Sequence, residues 1–146
     1  MVEFAIVTMP LLMTFMGATE VGRVYESNMV LKHSASVAAR AAAVIANNSG
    51  NINPSENPSS DPQAEIQQAA LVAMGRWSQT SAFVDVRVDV NDRSSDSDPY
   101  GMICTTVHST YRCTIPLGNR LVCGLDRKHE KSATACHAHQ GAKYKL

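Results

Sequence analysis

The side chains best suited to chemistry in this sequence are four cysteines, five histidines and a few carboxylates in apolar surroundings. Cys104, Cys113, Cys123 and Cys136 all fall in the last third of the 146 residues. An even number of cysteines in a small polar segment reads as two disulfides formed in an oxidising compartment. Four cysteines allow three connectivities. Sequential pairing, Cys104–Cys113 with Cys123–Cys136, is the expectation, because it closes short loops that a hairpin-rich head can satisfy. Zinc is the competing chemistry, with Cys123, His129, Cys136, His137 and His139 as ligand types. Yet there is no Cys-x-x-Cys pair, and adjacent Cys136 and His137 cannot easily share one tetrahedral ion. Disulfides beside exposed histidines are therefore expected, with no metal and no cofactor. The sequence also lacks a nucleophile elbow, a phosphate-cradling glycine loop and a metalloprotease helix motif. It does not read as an enzyme, and no catalytic residue is assigned.

Glu3 is the carboxylate in the least expected place, at the edge of an apolar run. Such a charge is costly unless it is neutralised or paired. Two readings stand: a positive group presented by a neighbouring copy of the same helix, such as a free α-amino terminus, or a place at headgroup level in water. Pro10 removes a helical hydrogen bond and should kink or loosen the helix locally.

The element carrying these residues runs from Phe4 to Thr19 without a charged side chain. Sixteen helical residues rise about 24 Å, short of the roughly 30 Å hydrocarbon core. No basic residue precedes Phe4, which disfavours a cleaved secretory signal. The rest of the chain offers too little apolar surface to cover the run inside a soluble core. A membrane-embedded or bundle-buried helix is the reading.

The helix continues well past that run. Val24, Leu31, Ala35, Ala38, Ala42 and Ile45 recur at helical spacing until Asn47-Asn48-Ser49-Gly50, giving a rod from about residue 3 to 47. Small residues four apart (Ala35, Ala39, Ala43 and Ala38, Ala42, Ala46) suit close helix approach or cover by the head's own elements.

The pattern Val2-Glu3-Phe4-Ala5-Ile6-Val7, then Pro10-Leu11-Leu12, Gly17 and Glu20-Val21-Gly22-Arg23, resembles the N-terminal signature of TadE-like pseudopilins. The run His33 to Ala43 is similar to that family's Ala/Arg-rich continuation. The resemblance covers about the first 46 residues and does not include the cysteines. It implies a precursor cut by a prepilin peptidase, held in the inner membrane and then drawn by assembly machinery into a type IV-like (Tad) filament. It also implies that Glu3 pairs with a neighbour's amino terminus, although that glutamate normally stands fifth and here stands third. Arg23, Lys32 and Arg40 follow the apolar run, which by the positive-inside rule would keep the head cytoplasmic. Disulfides argue the opposite, and a removed basic leader reconciles the two.

The remainder reads as a head. Residues 49–62 form an exposed connection, and Asn47-Asn48-Ser49 just before it matches a weak glycan acceptor pattern. Asp61 caps a second amphipathic helix over about 61–77, with Ile66, Ala69, Ala70, Ala73, Met74 and Trp77 on its apolar face. Val84, Val86, Val88 and Val90 alternate with charge and point one way along a strand. Asn91 to Tyr100 is a polar turn. Met102–Val107 and Thr110–Ile115 read as a hairpin around His108-Ser109, Leu121–Leu125 as a short strand, and the residues beyond as an irregular tail tied by Cys136.

The expected fold is α+β: a long N-terminal transmembrane or filament helix (1–47), then a head (48–146) with one helix, antiparallel strands over about 82–125 and disulfides. Filament or bundle packing falls to Phe4, Leu11, Leu12, Gly17, Leu31, Ala35, Ala38 and Ala42. Overall charge is balanced, 13 basic against 13 acidic, so nucleic acid is not an expected partner. It is uneven along the chain: residues 51–100 hold three Arg against eight acids, and 101–146 hold seven Lys and Arg against two. The functional expectation is a filament subunit whose partner is itself, with an exposed head for adhesion or subunit contacts. A single-pass envelope protein whose head binds a ligand, without polymerising, is the alternative.

Overall fold

One helix, α1 (Val2–Ser49), is continuous over 48 residues and passes through Pro10. It rises about 72 Å at 1.5 Å per residue. The structure, a computed structural model, describes residues 2–49, 62–79, 82–93, 101–116, 118–124 and 126–138. The expected connection between α1 and the second helix, the Asp61 cap and most of the 91–100 turn lie outside those residues.

Helix α2 (Pro62–Met74) starts on proline, whose missing N–H costs nothing in a first turn. It stops at Gly75, which takes φ +53° and donates its N–H to the Val72 carbonyl at 3.0 Å. Glycine enters this left-handed conformation without the steric penalty of a Cβ. The single helix expected over 61–77 is therefore two, and Trp77 belongs to the short α3 (Arg76–Gln79).

Three strands, β1 (Phe83–Asp92), β2 (Met102–Arg112) and β3 (Lys128–Ala138), form one antiparallel sheet in the order β1-β2-β3. Several expectations are corrected here. β2 runs unbroken through His108-Ser109, which lack the glycine or asparagine a two-residue hairpin turn needs. Its inward residues Ile103, Thr105, Val107, Ser109 and Tyr111 are all buried. Leu121 lies in the short helix α4 (Gly118–Val122), not in a strand. The tail expected to be irregular is β3, whose alternation is hidden because its inward side carries Lys131, Ala133 and Ala135 in place of large apolar residues. In β1 a bulge between Val84 and Arg87, with Asp85 at φ +57°, shifts the register. Phe83 rather than Val84 then enters the core.

The disulfides are Cys104–Cys136 and Cys113–Cys123, with no free cysteine. This overturns the sequential pairing. Cys104 and Cys113 lie at the two ends of one extended strand, on the order of 30 Å apart, beyond any bridge. Cys104 and Cys136 are instead register partners across β2 and β3.

The sheet lies on the distal part of α1. Leu31, Ala35, Ala38 and Ala42 of α1, Ile66, Ala70 and Met74 of α2, and Val88, Ile103 and Val107 of the sheet form one core. Alanines on the rod bring its backbone close enough for the Thr105 hydroxyl to donate to the Ala35 carbonyl at 3.1 Å. A second cluster of Ala82, Phe83, Tyr111, Cys113 and Cys123 closes the end nearer the N-terminus. There Phe83 meets Tyr111 edge-on at 6.1 Å and Trp77 at 5.8 Å.

The expectation of a transmembrane helix is also corrected. Among the described residues, no helix is long and apolar enough to cross a membrane. Thr8, Pro10, Thr14, Gly17 and Thr19 dilute the run, and Glu20 ends it.

Candidate assembly site

Two regimes divide α1. From Phe4 to Phe15 the large apolar side chains described stand in the open: Phe4 is 78% exposed, Leu11 63%, Phe15 60% and Leu12 45%. Leu31, Ala35, Ala38 and Ala42 are covered by the head at 1% or less. Of the residues expected to pack in a filament, Phe4, Leu11 and Leu12 are presented outward, Gly17 is half-buried, and the last four lie inside the subunit's own core. Glu3 sits in the first turn of α1, its side chain outside the described residues. On the head-bearing half, Val21, Tyr25 and Met29 continue the apolar exposure at a spacing of four, on the side of α1 away from the head.

The boundary between the regimes is a built structure. α4 seats directly on the rod: a Cβ added to Gly118 would lie 2.6 Å from the Met16 carbonyl oxygen and 3.3 Å from Glu20 Cβ. One turn further along α1, Glu20 is wholly buried. Its Oε1 accepts from the Tyr111 hydroxyl at 3.2 Å, and its Oε2 from the Ile115 backbone N–H at 3.0 Å. Arg23 Nη1 donates to Thr114 Oγ1 at 3.1 Å. Residues 113–123, closed by a disulfide, thus form a clasp that grips the rod between Met16 and Arg23.

The electrostatics follow from burial. Tyr111 is pushed up to about 12, first by desolvation, then by the Glu20 charge and by its hydrogen bond to that carboxylate. Lys131 is pushed down by burial. Its ammonium donates to the Val24 carbonyl at 2.9 Å and to Ser27 Oγ at 2.7 Å, and lies 5.0 Å from the Tyr111 ring centroid.

Glu20, Cys113 and Cys123 bring their ligand-type atoms within 4.8 Å of one another. Both sulfurs are committed to the disulfide and offer no thiolate to an ion. The cysteines weighed for zinc are separated, Cys123 at the clasp and Cys136 across from Cys104. His137 instead meets Arg40 at 3.3 Å, His129 sits 3.5 Å from the Val122 carbonyl, and His139 lies outside the described residues. On the outward sheet face Asp89 sits between Arg87 at 3.1 Å and His108 at 3.4 Å.

Sequence reasoning missed Glu20 as a buried acceptor, along with Tyr111 and Lys131. A signal for Glu20 existed. Glu20, Ser27 and Ser34 are seven apart and all three are buried, so they share the head-facing side with Leu31 and Ala38.

The chain thus joins a rod with a bare apolar end to a clasped helix-and-sheet head. Residues 1–40 match the family model described as TadE-like protein, so over that segment the chain is similar to the TadE-like family. No curated protein and no solved structure matches the chain. The likeness ties it to Tad pilus-related proteins of the envelope or cell surface.

Proposed function

We propose that the chain is a structural, non-enzymatic subunit, a pilin or pseudopilin, of a Tad-like extracellular filament. The observation carrying this reading is the bare apolar segment Phe4–Phe15, set beyond a clasp that closes the head at Met16–Arg23. A lone subunit leaves that segment in contact with water or lipid. Copies packed side by side would bury it, at roughly 25 cal/mol for each Å² removed from water. Before assembly the segment rests in the inner membrane. After processing by a prepilin peptidase and extraction by assembly machinery, the head faces outward for adhesion or subunit contacts. Glu3 pairs with a neighbour's amino terminus in this reading.

Electron microscopy of sheared surface material, with antibody against the head, tests it. The subunit decorates filaments along their length, and Leu11→Asp or Glu3→Ala removes or shortens them. Protein confined to the envelope fraction with no filament staining would replace this reading with the ligand-binding envelope protein.

A further inference from the structure

We propose that the base of the head is a docking surface for an anionic phospholipid bilayer, seating the subunit before it enters a filament. This rests on the reading that Phe4–Phe15 enters lipid, and it adds a second, electrostatic contact. The fold gathers basic side chains from four separate stretches at that end. Arg112 and Lys128 are register partners on β2 and β3. Arg127 donates no side chain to the core, and its carbonyl accepts the Cys113 N–H at 3.0 Å. Arg120 projects from α4, which lies on Met16, and Arg23 holds Thr114. All five are exposed.

Among the described residues the exposed carboxylates near this end are Glu26, Asp85, Asp126 and Glu130, and Glu20 lies in the interior. With Arg76, beside Trp77 in the cluster at this end, the exposed balance among the described residues is six basic against four acidic, an excess of two. Glu20 is withheld from the bilayer by the clasp, its oxygens taken by Tyr111 and Ile115. The opposite end of β1 carries both signs, Asp92 beside Arg93.

The geometry makes these groups a collar. The apolar residues 4–15 rise about 18 Å, slightly more than half of a roughly 30 Å hydrocarbon core. With the rod in lipid up to Phe15, α4, which lies on Met16, stands with its basic neighbours at headgroup level. Apolar insertion and a basic patch then act as two partial anchors.

Flotation of the full chain with vesicles tests this. Vesicles of phosphatidylcholine are compared with vesicles carrying about 30 mol% phosphatidylglycerol, where partition should rise on the order of ten-fold at low salt and fall back near 0.5 M salt. The variant Arg112→Gln/Arg120→Gln/Lys128→Gln should lose that gain, Arg112→Lys/Arg120→Lys should keep it, and Arg93→Gln at the far end should change nothing. Equal partition onto both vesicle types, or a triple variant that still prefers anionic lipid, overturns the proposal. The two readings fail separately. Anionic preference in a protein never found in filaments keeps the docking surface and removes the filament role, and the converse result does the reverse.

Discussion

Tyr111 of β2 gives its hydroxyl to the Glu20 carboxylate of α1 at 3.2 Å, joining residues 91 apart in sequence. With the Ile115 N–H on the other oxygen, one buried side chain satisfies two donors, one from β2 and one from the clasp. Glu20→Ala strands both donors, and each buried unpaired group costs about 1–3 kcal/mol. The variant should lose roughly 2–4 kcal/mol of head stability, read as a lower urea midpoint with an unchanged slope. Tyr111→Phe combined with Glu20→Ala should show a coupling of at least ~0.5 kcal/mol. Additive losses would mean that the pair does not hold rod to head.

The same contact sets a pH dependence. Tyr111 ionises near 12 in the fold, above the ordinary phenol value of 10.0. The folded state therefore binds this proton more tightly than the unfolded chain. The stability it supports is fully present below about pH 10 and is lost as pH rises toward 12. Ultraviolet difference titration near 295 nm should show one phenol ionising about two units late. Glu20→Gln should bring that phenol part of the way back, because burial, the largest cause, remains.

How much of this was legible in the sequence depends on what each residue packs against. The rod, α2 and β1 carry apolar residues at the period of their own geometry, so their existence could be read directly. β3 could not, because its inward positions are filled by Ala133, Ala135 and a lysine beneath a closely approaching helix. The clasp was hidden for a different reason. Its helix α4 is five residues long and owes its place to a disulfide and to the surface of α1, neither of which leaves a local periodic trace. Glu20 stood in view as the residue ending an apolar run. Its acceptor role needed partners from beyond residue 110.

Gly118 offers a test of the clasp that leaves its charges alone. A Cβ there would sit 2.6 Å from a backbone oxygen of α1, so α4 or the rod must shift. Gly118→Ala should cost about 1–3 kcal/mol, as overpacking does. Hydrogen exchange should quicken at Ile115 before the sheet is affected. Unchanged protection there would place α4 away from Met16.

The two disulfides should differ in how they yield to thiol reductants. Cys113–Cys123 is buried and faces the Glu20 carboxylate, which repels an attacking thiolate and disfavours a thiolate leaving group. Cys136 of the other bond lies on the exposed face of β3. Cys104–Cys136 should therefore be reduced first, on the order of ten-fold faster. Timed alkylation and peptide mass spectrometry would follow both bonds, and early release of Cys113 and Cys123 would contradict the sheltered clasp.

Stability and assembly should separate along α1. Leu31 is 1% exposed in the head core, so Leu31→Ala removes buried methyl groups and should cost about 2–5 kcal/mol. Leu11 is 63% exposed and touches no core cluster, so Leu11→Ala should leave the urea midpoint within about 0.5 kcal/mol. If neighbouring copies bury the bare segment, the ranking reverses in a filament assay. Leu11→Ala then lowers filament yield while the head stays folded, and Leu31→Ala at permissive temperature still assembles. A Leu11→Ala protein that forms filaments as abundantly as its parent, at equal expression, would show that this side chain faces no neighbour, and the segment Phe4–Phe15 would need another reason for its exposure.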